Sequence, residues 1–315
     1  MTAPVNALPD LGRIVLGGNV FGWTADEPAS FAVLDAFVAA GYRTIDTADS
    51  YSTWVPGHQG GESETILGRW LTRRGRNDDL VIISKVGQAT LGQPAGLGRR
   101  RVLNAVDGTL QRLGRDYLDV YMAHVDDGNT PLEETLSAFA ELIASGKVRA
   151  IGASNYPLPR FEAALTLAHK HNLPAFQLYQ PLYNLHDRND YECGMEPVAR
   201  ATGIAVLPYF GLAAGFLAGK YRSEADLKDR ARSFRVRAYL NPRGMAILKA
   251  LDSVSTRLGA TPAQVAIAWL LHRPSISAAM VSATSVGQLA EITAAAQLAL
   301  DSDALVLLEE ASRPQ

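Results

Sequence analysis

Four polar side chains sit where strand-like runs stop. Asp46 and Tyr51 fall in Thr44-Ile-Asp-Thr-Ala-Asp-Ser-Tyr51, Lys85 closes Leu80-Val-Ile-Ile-Ser-Lys85, and His124 closes Tyr117-Leu-Asp-Val-Tyr-Met-Ala-His124. An acid, a phenol, an amine and an imidazole together are the parts of a proton-donating site. A free tyrosine has a pKa near ~10, so as an acid at neutral pH it needs a nearby cation to favour the phenolate. Lys85 would supply that charge, Asp46 would hold the ammonium, and His124 would orient a substrate oxygen or share the proton. Taken singly, the same residues read as a rim ion pair, a surface tyrosine and a satisfied histidine.

Such a site needs elements that bring strand ends together. Apolar, β-rich runs at Arg13–Leu16, Arg43–Ala48, Leu80–Val86, Leu118–Val125, Val148–Ala153, Phe176–Tyr179, Ile204–Tyr209 and Ser277–Ala283 alternate with helical stretches. Helix starts are legible at Thr130-Pro-Leu-Glu133 and Thr261-Pro-Ala-Gln264, each read as a capping box with proline at the first helical position, and at Ser285-Val-Gly-Gln288. Alternation implies a parallel sheet, and eight units imply an α/β fold of the (β/α)8 TIM-barrel class, whose chemistry lies at the C-terminal strand ends. No linker interrupts the pattern, so residues 1–315 read as one domain with an extra C-terminal helix at Asp301–Arg313. An open nucleotide-binding sheet would want a glycine fingerprint after the first strand, and Gly17-Gly-Asn-Val-Phe-Gly22 imitates one only weakly.

Composition narrows the partners. The chain has 315 residues and a net charge of −2, so no overall field recruits nucleic acid or an anionic membrane. Its single cysteine, Cys193, excludes an internal disulfide and a cysteine-based metal cluster, and no metal site is expected. Met1–Asp10 has neither a basic start nor an apolar core of signal-peptide length, which with the lone cysteine points to the cytoplasm. Gly211, Gly215 and Gly219 recur every fourth residue in an apolar run, as in paired membrane helices. That run is shorter than the ~20 residues a span needs and contains Pro208, so it reads as a buried strand and a glycine-rich loop.

The order Asp46, Tyr51, Lys85, His124 resembles the catalytic tetrad of the aldo-keto reductases. Gly41-Tyr-Arg-Thr-Ile-Asp-Thr-Ala-Asp-Ser-Tyr51, Gly61-Glu-Ser-Glu64, Gly152-Ala-Ser-Asn155, Gln180-Pro-Leu-Tyr-Asn184 and Gly215-Phe-Leu-Ala-Gly-Lys-Tyr221 resemble that family's landmarks, in its order. The resemblance implies hydride transfer between a nicotinamide cofactor and an aldehyde, ketone or corresponding alcohol. It assigns Ser154, Asn155 and Gln180 to the carboxamide and Tyr209 to stacking on the nicotinamide. It also assigns Leu212, Gly219 and Lys220 to the pyrophosphate, and Ser282, Thr284, Gln288 and Glu291 to the adenosine end. Many relatives carry Pro-Gly where this chain has Val281-Ser282, asparagine where it has Ile292, and a basic residue near Thr284.

Arg230, Arg232, Arg235 and Arg237 offer another source of positive charge: a solvated loop, a flap whose Arg232 meets a 2′-phosphate, or a nucleic-acid contact, against which stands the absence of aromatic interleaving and of a basic face elsewhere. On the flap reading NADP(H) is favoured, with NAD(H) as the alternative. Trp23, Trp54 and Phe21 would wall a substrate pocket for a small carbonyl or alcohol, and His58 reads as a surface residue. The expected protein is thus a soluble oxidoreductase that neither spans a membrane nor binds nucleic acid. Two other readings remain open: a sugar or alcohol dehydrogenase working oxidatively, and a cofactor-sensing subunit resembling potassium-channel beta subunits. Substrate identity and oligomeric state are not encoded legibly.

Overall fold

The structure, a computed structural model, describes residues 7–228 and 232–314. Arg230 of the arginine segment and Met1–Asn6 of the N-terminal stretch lie outside them. The fold is a (β/α)8 barrel. Its strands are β1 (Ile14–Gly17), β2 (Thr44–Asp46), β3 (Val81–Val86), β4 (Leu118–Ala123), β5 (Val148–Ser154), β6 (Leu178–Gln180), β7 (Ala205–Val206) and β8 (Ala279–Val281). They form one sheet in the order β7-β6-β5-β4-β3-β2-β1-β8, which excludes the doubly wound alternative.

The chain forms two compact units: Met1–Gln180 with Ser282–Ser285, and Pro181–Val281 with Val286–Gln315. In the first, β1 to β6 pair in parallel, with Gly17 opposite Asp46, Asp46 opposite Ile83, Lys85 opposite Met122, and Ser154 opposite Gln180. β3 and β4 are almost wholly buried and mostly apolar, as strands covered on both faces are, with Ser84, Lys85 and Asp119 as their buried polar members. Two glycines permit the spacing. A Cβ on Gly68 of helix Glu62–Arg74 would stand 1.9 Å from the Arg112 carbonyl, and one on Gly152 would stand 2.7 Å from that of Leu178. Any larger residue would push backbone away from backbone.

Gly61-Glu-Ser-Glu64 clamps the strands below it. The Ser63 hydroxyl donates to the Gly18 carbonyl at 2.8 Å and meets Thr47 Oγ1 at 2.9 Å. Buried Glu64 accepts from Ser84 at 2.6 Å and from Arg112 at 2.7 Å. The expected capping box at Thr130 does not form. Its hydroxyl donates instead to Asp127 Oδ2 at 2.5 Å, Pro131 becomes the cap, and the helix runs Leu132–Ala144. Asp127, three residues upstream, is an ionised acceptor and outcompetes the helix's own amides.

In the second unit, β7 is two residues long rather than the six expected over Ile204–Tyr209. Pro208 has no N–H to give a ladder, and Phe210, Ala213 and Ala214 adopt left-handed backbone just beyond it. Thr261 and Gln264 do form their capping box, at 3.2 and 2.9 Å, and start helix Pro262–His272. The extra helix is present as Ser302–Ser312, capped by Asp301. It is tied down by Arg188, which bonds Glu309 and Ser312 at 2.7 Å each. Among the described residues no helix is long and apolar enough to cross a membrane.

Candidate active site

The first unit brings Asp46, Tyr51, Lys85 and His124 together. Asp46 is the last residue of β2, Lys85 lies near the end of β3, and His124 follows β4 directly. Tyr51 lies five residues past β2, in the turn that leads towards the next helix. Lys85 Nζ donates to Asp46 Oδ2 at 2.6 Å, to the Thr47 carbonyl at 2.8 Å and to the Tyr51 hydroxyl at 2.9 Å. Those three acceptors use all three ammonium hydrogens. The Tyr51 hydroxyl donates in turn to Asp46 Oδ2 at 2.9 Å. Its proton is therefore parked on a carboxylate while its lone pair faces a cation.

Burial sets the electrostatics. Asp46 and Lys85 are fully buried, and Tyr51 is 8% exposed. Desolvation pulls the Lys85 ammonium below the usual lysine range, and the Asp46 charge opposes it. His124 is held well below the ordinary histidine range, first by burial and then by the Lys85 charge. Its ring is neutral at physiological pH and lies 5.7 Å from that of Tyr51, edge to face. Trp54, 47% exposed, packs edge-on against Trp23 at 5.4 Å and Tyr51 at 6.4 Å. The two tryptophans and the tyrosine form one aromatic wall. His58 is half-buried, and its Nδ1 lies 3.1 Å from the Ser52 carbonyl.

The amides and hydroxyl expected to meet a carboxamide are in the same unit. Gln180 Nε2 donates to Asp46 Oδ1 at 3.1 Å, Ser154 Oγ donates to the Gln180 carbonyl at 2.8 Å, and Asn155 Nδ2 donates to the His124 carbonyl at 2.9 Å. Asn155 is exposed and has φ of 54°, a left-handed conformation that a non-glycine residue holds only when its surroundings impose it. Hydroxyl and amide groups of this kind can both donate to and accept from a carboxamide, and Asn155 is the exposed member of the three. Ser282 donates to Asn19 Oδ1 at 2.6 Å, and Thr284 is half-buried.

In the second unit, Tyr209 packs against Phe210 at 5.3 Å, and burial raises its phenol pKa. Leu212 precedes a short 3-10 segment that ends at Gly219, where φ is 77°, and Lys220 beyond it is exposed. Gln288 and Glu291 lie half-buried on helix Val286–Ala294. Arg237 pairs with exposed Glu224 at 3.1 Å, Arg235 lies over the Phe210 ring at 5.2 Å, and Arg232 is half-buried.

Sequence reasoning missed a polar chain behind the histidine. Ser50 Oγ lies 3.3 Å from His124 Nδ1 and 3.4 Å from Gln88 Oε1. Arg101 reaches the Gln88 carbonyl at 3.2 Å and Asp49 Oδ2 at 2.9 Å. Burial and the Glu64 charge raise the Asp49 carboxyl to about 6 despite Arg101. The only sequence signal was the adjacency of Asp49 and Ser50 to Tyr51.

A family model, "Aldo/keto reductase family", matches residues 13–313. The chain is 30% identical to "Protein tas" of Escherichia coli K12, over 95% of this chain and 94% of that protein. It is 31% identical to "Aldo-keto reductase YhdN" of Bacillus subtilis, over 89% and 82%. It is also 33% identical to a "Putative voltage-gated potassium channel subunit beta" of Schizosaccharomyces pombe, over 80% and 74%.

Proposed function

The chain belongs to the aldo/keto reductase family, and from that premise we propose that it is a single-domain, NAD(P)(H)-dependent carbonyl reductase with Tyr51 as general acid. The observation that carries this is the Tyr51 hydroxyl, which accepts from Lys85 Nζ and donates to Asp46 Oδ2, both at 2.9 Å. When bound, the cofactor supplies hydride to the carbonyl carbon.

The chain's own residues do the rest. His124, neutral and fixed beside Tyr51, positions the substrate oxygen. The Tyr51 proton turns from Asp46 to that oxygen, and the charge left on the phenolate falls against the Lys85 ammonium. Asp46 keeps Lys85 in place and takes part of its charge. Trp23 and Trp54 shape the pocket and exclude water. Ser154, Asn155 and Gln180 would hold the carboxamide. Tyr209, Leu212, Gly219, Lys220, Ser282, Thr284, Gln288 and Glu291 stay with the remainder of the cofactor on the resemblance. NADP(H) is preferred through Arg232. A small carbonyl or alcohol is the partner, in the cytoplasm, and the same groups run backwards in an alcohol or sugar dehydrogenase.

Tyr51→Phe tests this reading. Turnover should fall on the order of 10²-fold or more, the usual scale of general acid catalysis, while cofactor affinity barely changes. Near-normal turnover in a folded variant would remove Tyr51 from its role. Similarity to the potassium-channel subunit beta supports a second reading, a cofactor-sensing subunit. Failure of a carbonyl and alcohol panel with both cofactors, together with capture of a stable membrane partner, would favour that reading.

A further inference from the structure

We propose that Ser50 and Gln88 select which ring nitrogen of His124 carries its proton, and so whether the site receives a carbonyl or an alcohol. This rests on the carbonyl-reductase reading and names positioning residues for it. The Ser50 hydroxyl is buried, 3.3 Å from His124 Nδ1 and 3.4 Å from Gln88 Oε1. A hydroxyl has one hydrogen and can donate it to only one of these neighbours. Where it donates to Gln88 Oε1, it must accept from His124, which fixes the Nδ1–H tautomer and leaves Nε2 a bare acceptor. Where the Gln88 amide turns its NH₂ towards Ser50, the hydroxyl donates to Nδ1, and Nε2 carries the hydrogen.

The two tautomers suit opposite substrates. An Nε2–H donates to a carbonyl oxygen, which has no hydrogen to give. A bare Nε2 accepts from an alcohol hydroxyl. His124 is buried and neutral, so it holds one ring hydrogen and must choose. Gln88 is itself held at its backbone, where Arg101 Nη2 bonds its carbonyl at 3.2 Å and Asp49 at 2.9 Å. Only the Gln88 side chain is left to turn. In the structure Oε1 faces Ser50, the arrangement that receives an alcohol, so carbonyl reduction requires the Gln88 amide to turn first.

The test reads the tautomer directly, by ¹⁵N NMR of the histidine-labelled full-length protein, with His124→Asn to assign the signals. Wild type should show His124 as Nδ1–H. Gln88→Leu frees the Ser50 hydrogen and should convert His124 to Nε2–H, whereas Ser50→Thr, which keeps the hydroxyl, should match wild type. In kinetics, Gln88→Leu should raise the KM ratio of alcohol to carbonyl by roughly 10-fold, the scale of one matched hydrogen bond, with a smaller effect on kcat. An identical His124 tautomer in wild type, Gln88→Leu and Ser50→Ala would overturn the proposal. Because the NMR result needs no turnover, it stands apart from the function itself: a protein inactive on every carbonyl and alcohol would defeat the enzyme reading and leave the relay measured.

Discussion

Lys85 gives its three hydrogens to Asp46, Thr47 and Tyr51 within 2.6 to 2.9 Å, so its charge and its geometry serve the phenol together. Lys85→Met should lower turnover by ~10²-fold and move the alkaline limb of the pH–rate profile upward, because the phenolate loses its stabilising cation. Lys85→Arg should rescue little, since a planar guanidinium cannot place three donors where a compact ammonium does. A folded Lys85→Met variant with an unmoved alkaline limb would make the lysine structural. Asp46, Lys85 and His124 were legible in the sequence because each stands at or just past the end of a strand-like run, and Tyr51 followed in the turn after the first of them. Ser50 and Gln88 were not legible. Ser50 meets Gln88 and His124 across 38 and 74 residues of chain, and neither partnership leaves a periodic trace.

At the scale of elements, all eight strands were legible, because strands dry on both faces read as continuous apolar runs. Their ends were not, and neither was the Thr130 cap, because both depend on local competition that periodicity does not record. Pro208 and Phe210 cut β7 short, and Asp127 took the Thr130 hydroxyl. The arginine segment is one such case with a functional consequence. Arg237 is spent on Glu224, and Arg235 lies over Phe210 and Phe234 at 5.2 Å each. Arg232 is held half-buried, where desolvation pulls its pKa down. A partly desolvated guanidinium gains most from an anion, and a charge-assisted contact is worth ~1.5–3 kcal/mol. Arg232→Ala should therefore weaken NADP(H) by roughly 10-fold to 100-fold and leave NAD(H) nearly unchanged, with Arg237→Ala altering neither. Equal losses for the two cofactors in Arg232→Ala, measured as dissociation constants, would rule out a 2′-phosphate contact. Thr284→Arg would then be the change that strengthens NADP(H).

For the molecule as a whole, a net charge of −2 leaves little long-range field, so the pH dependence of stability falls to individual buried groups. Asp49 is the clearest. Its carboxyl titrates at about 6 in the native state against 3.8 for the ordinary group, because burial and Glu64 outweigh Arg101. Between those values the native protein holds a proton that the unfolded chain has released. Stability from this group therefore falls as pH rises from 3.8 towards 6, and the full cost, about 3 kcal/mol, is present above that range. Asp49→Asn removes the titration. It also loses the Arg101 ion pair at 2.9 Å, whose pull on the ionised carboxylate is already contained in the value of about 6. Urea unfolding at about pH 4.5 and about pH 7.5 separates the two effects, since only the titration is set by the difference in proton affinity between the folded and unfolded states. The variant should gain on wild type by about 2 kcal/mol between those conditions, whatever its offset at either one. The same stability difference at both pH values would mean that Asp49 titrates alike in the folded and unfolded chain.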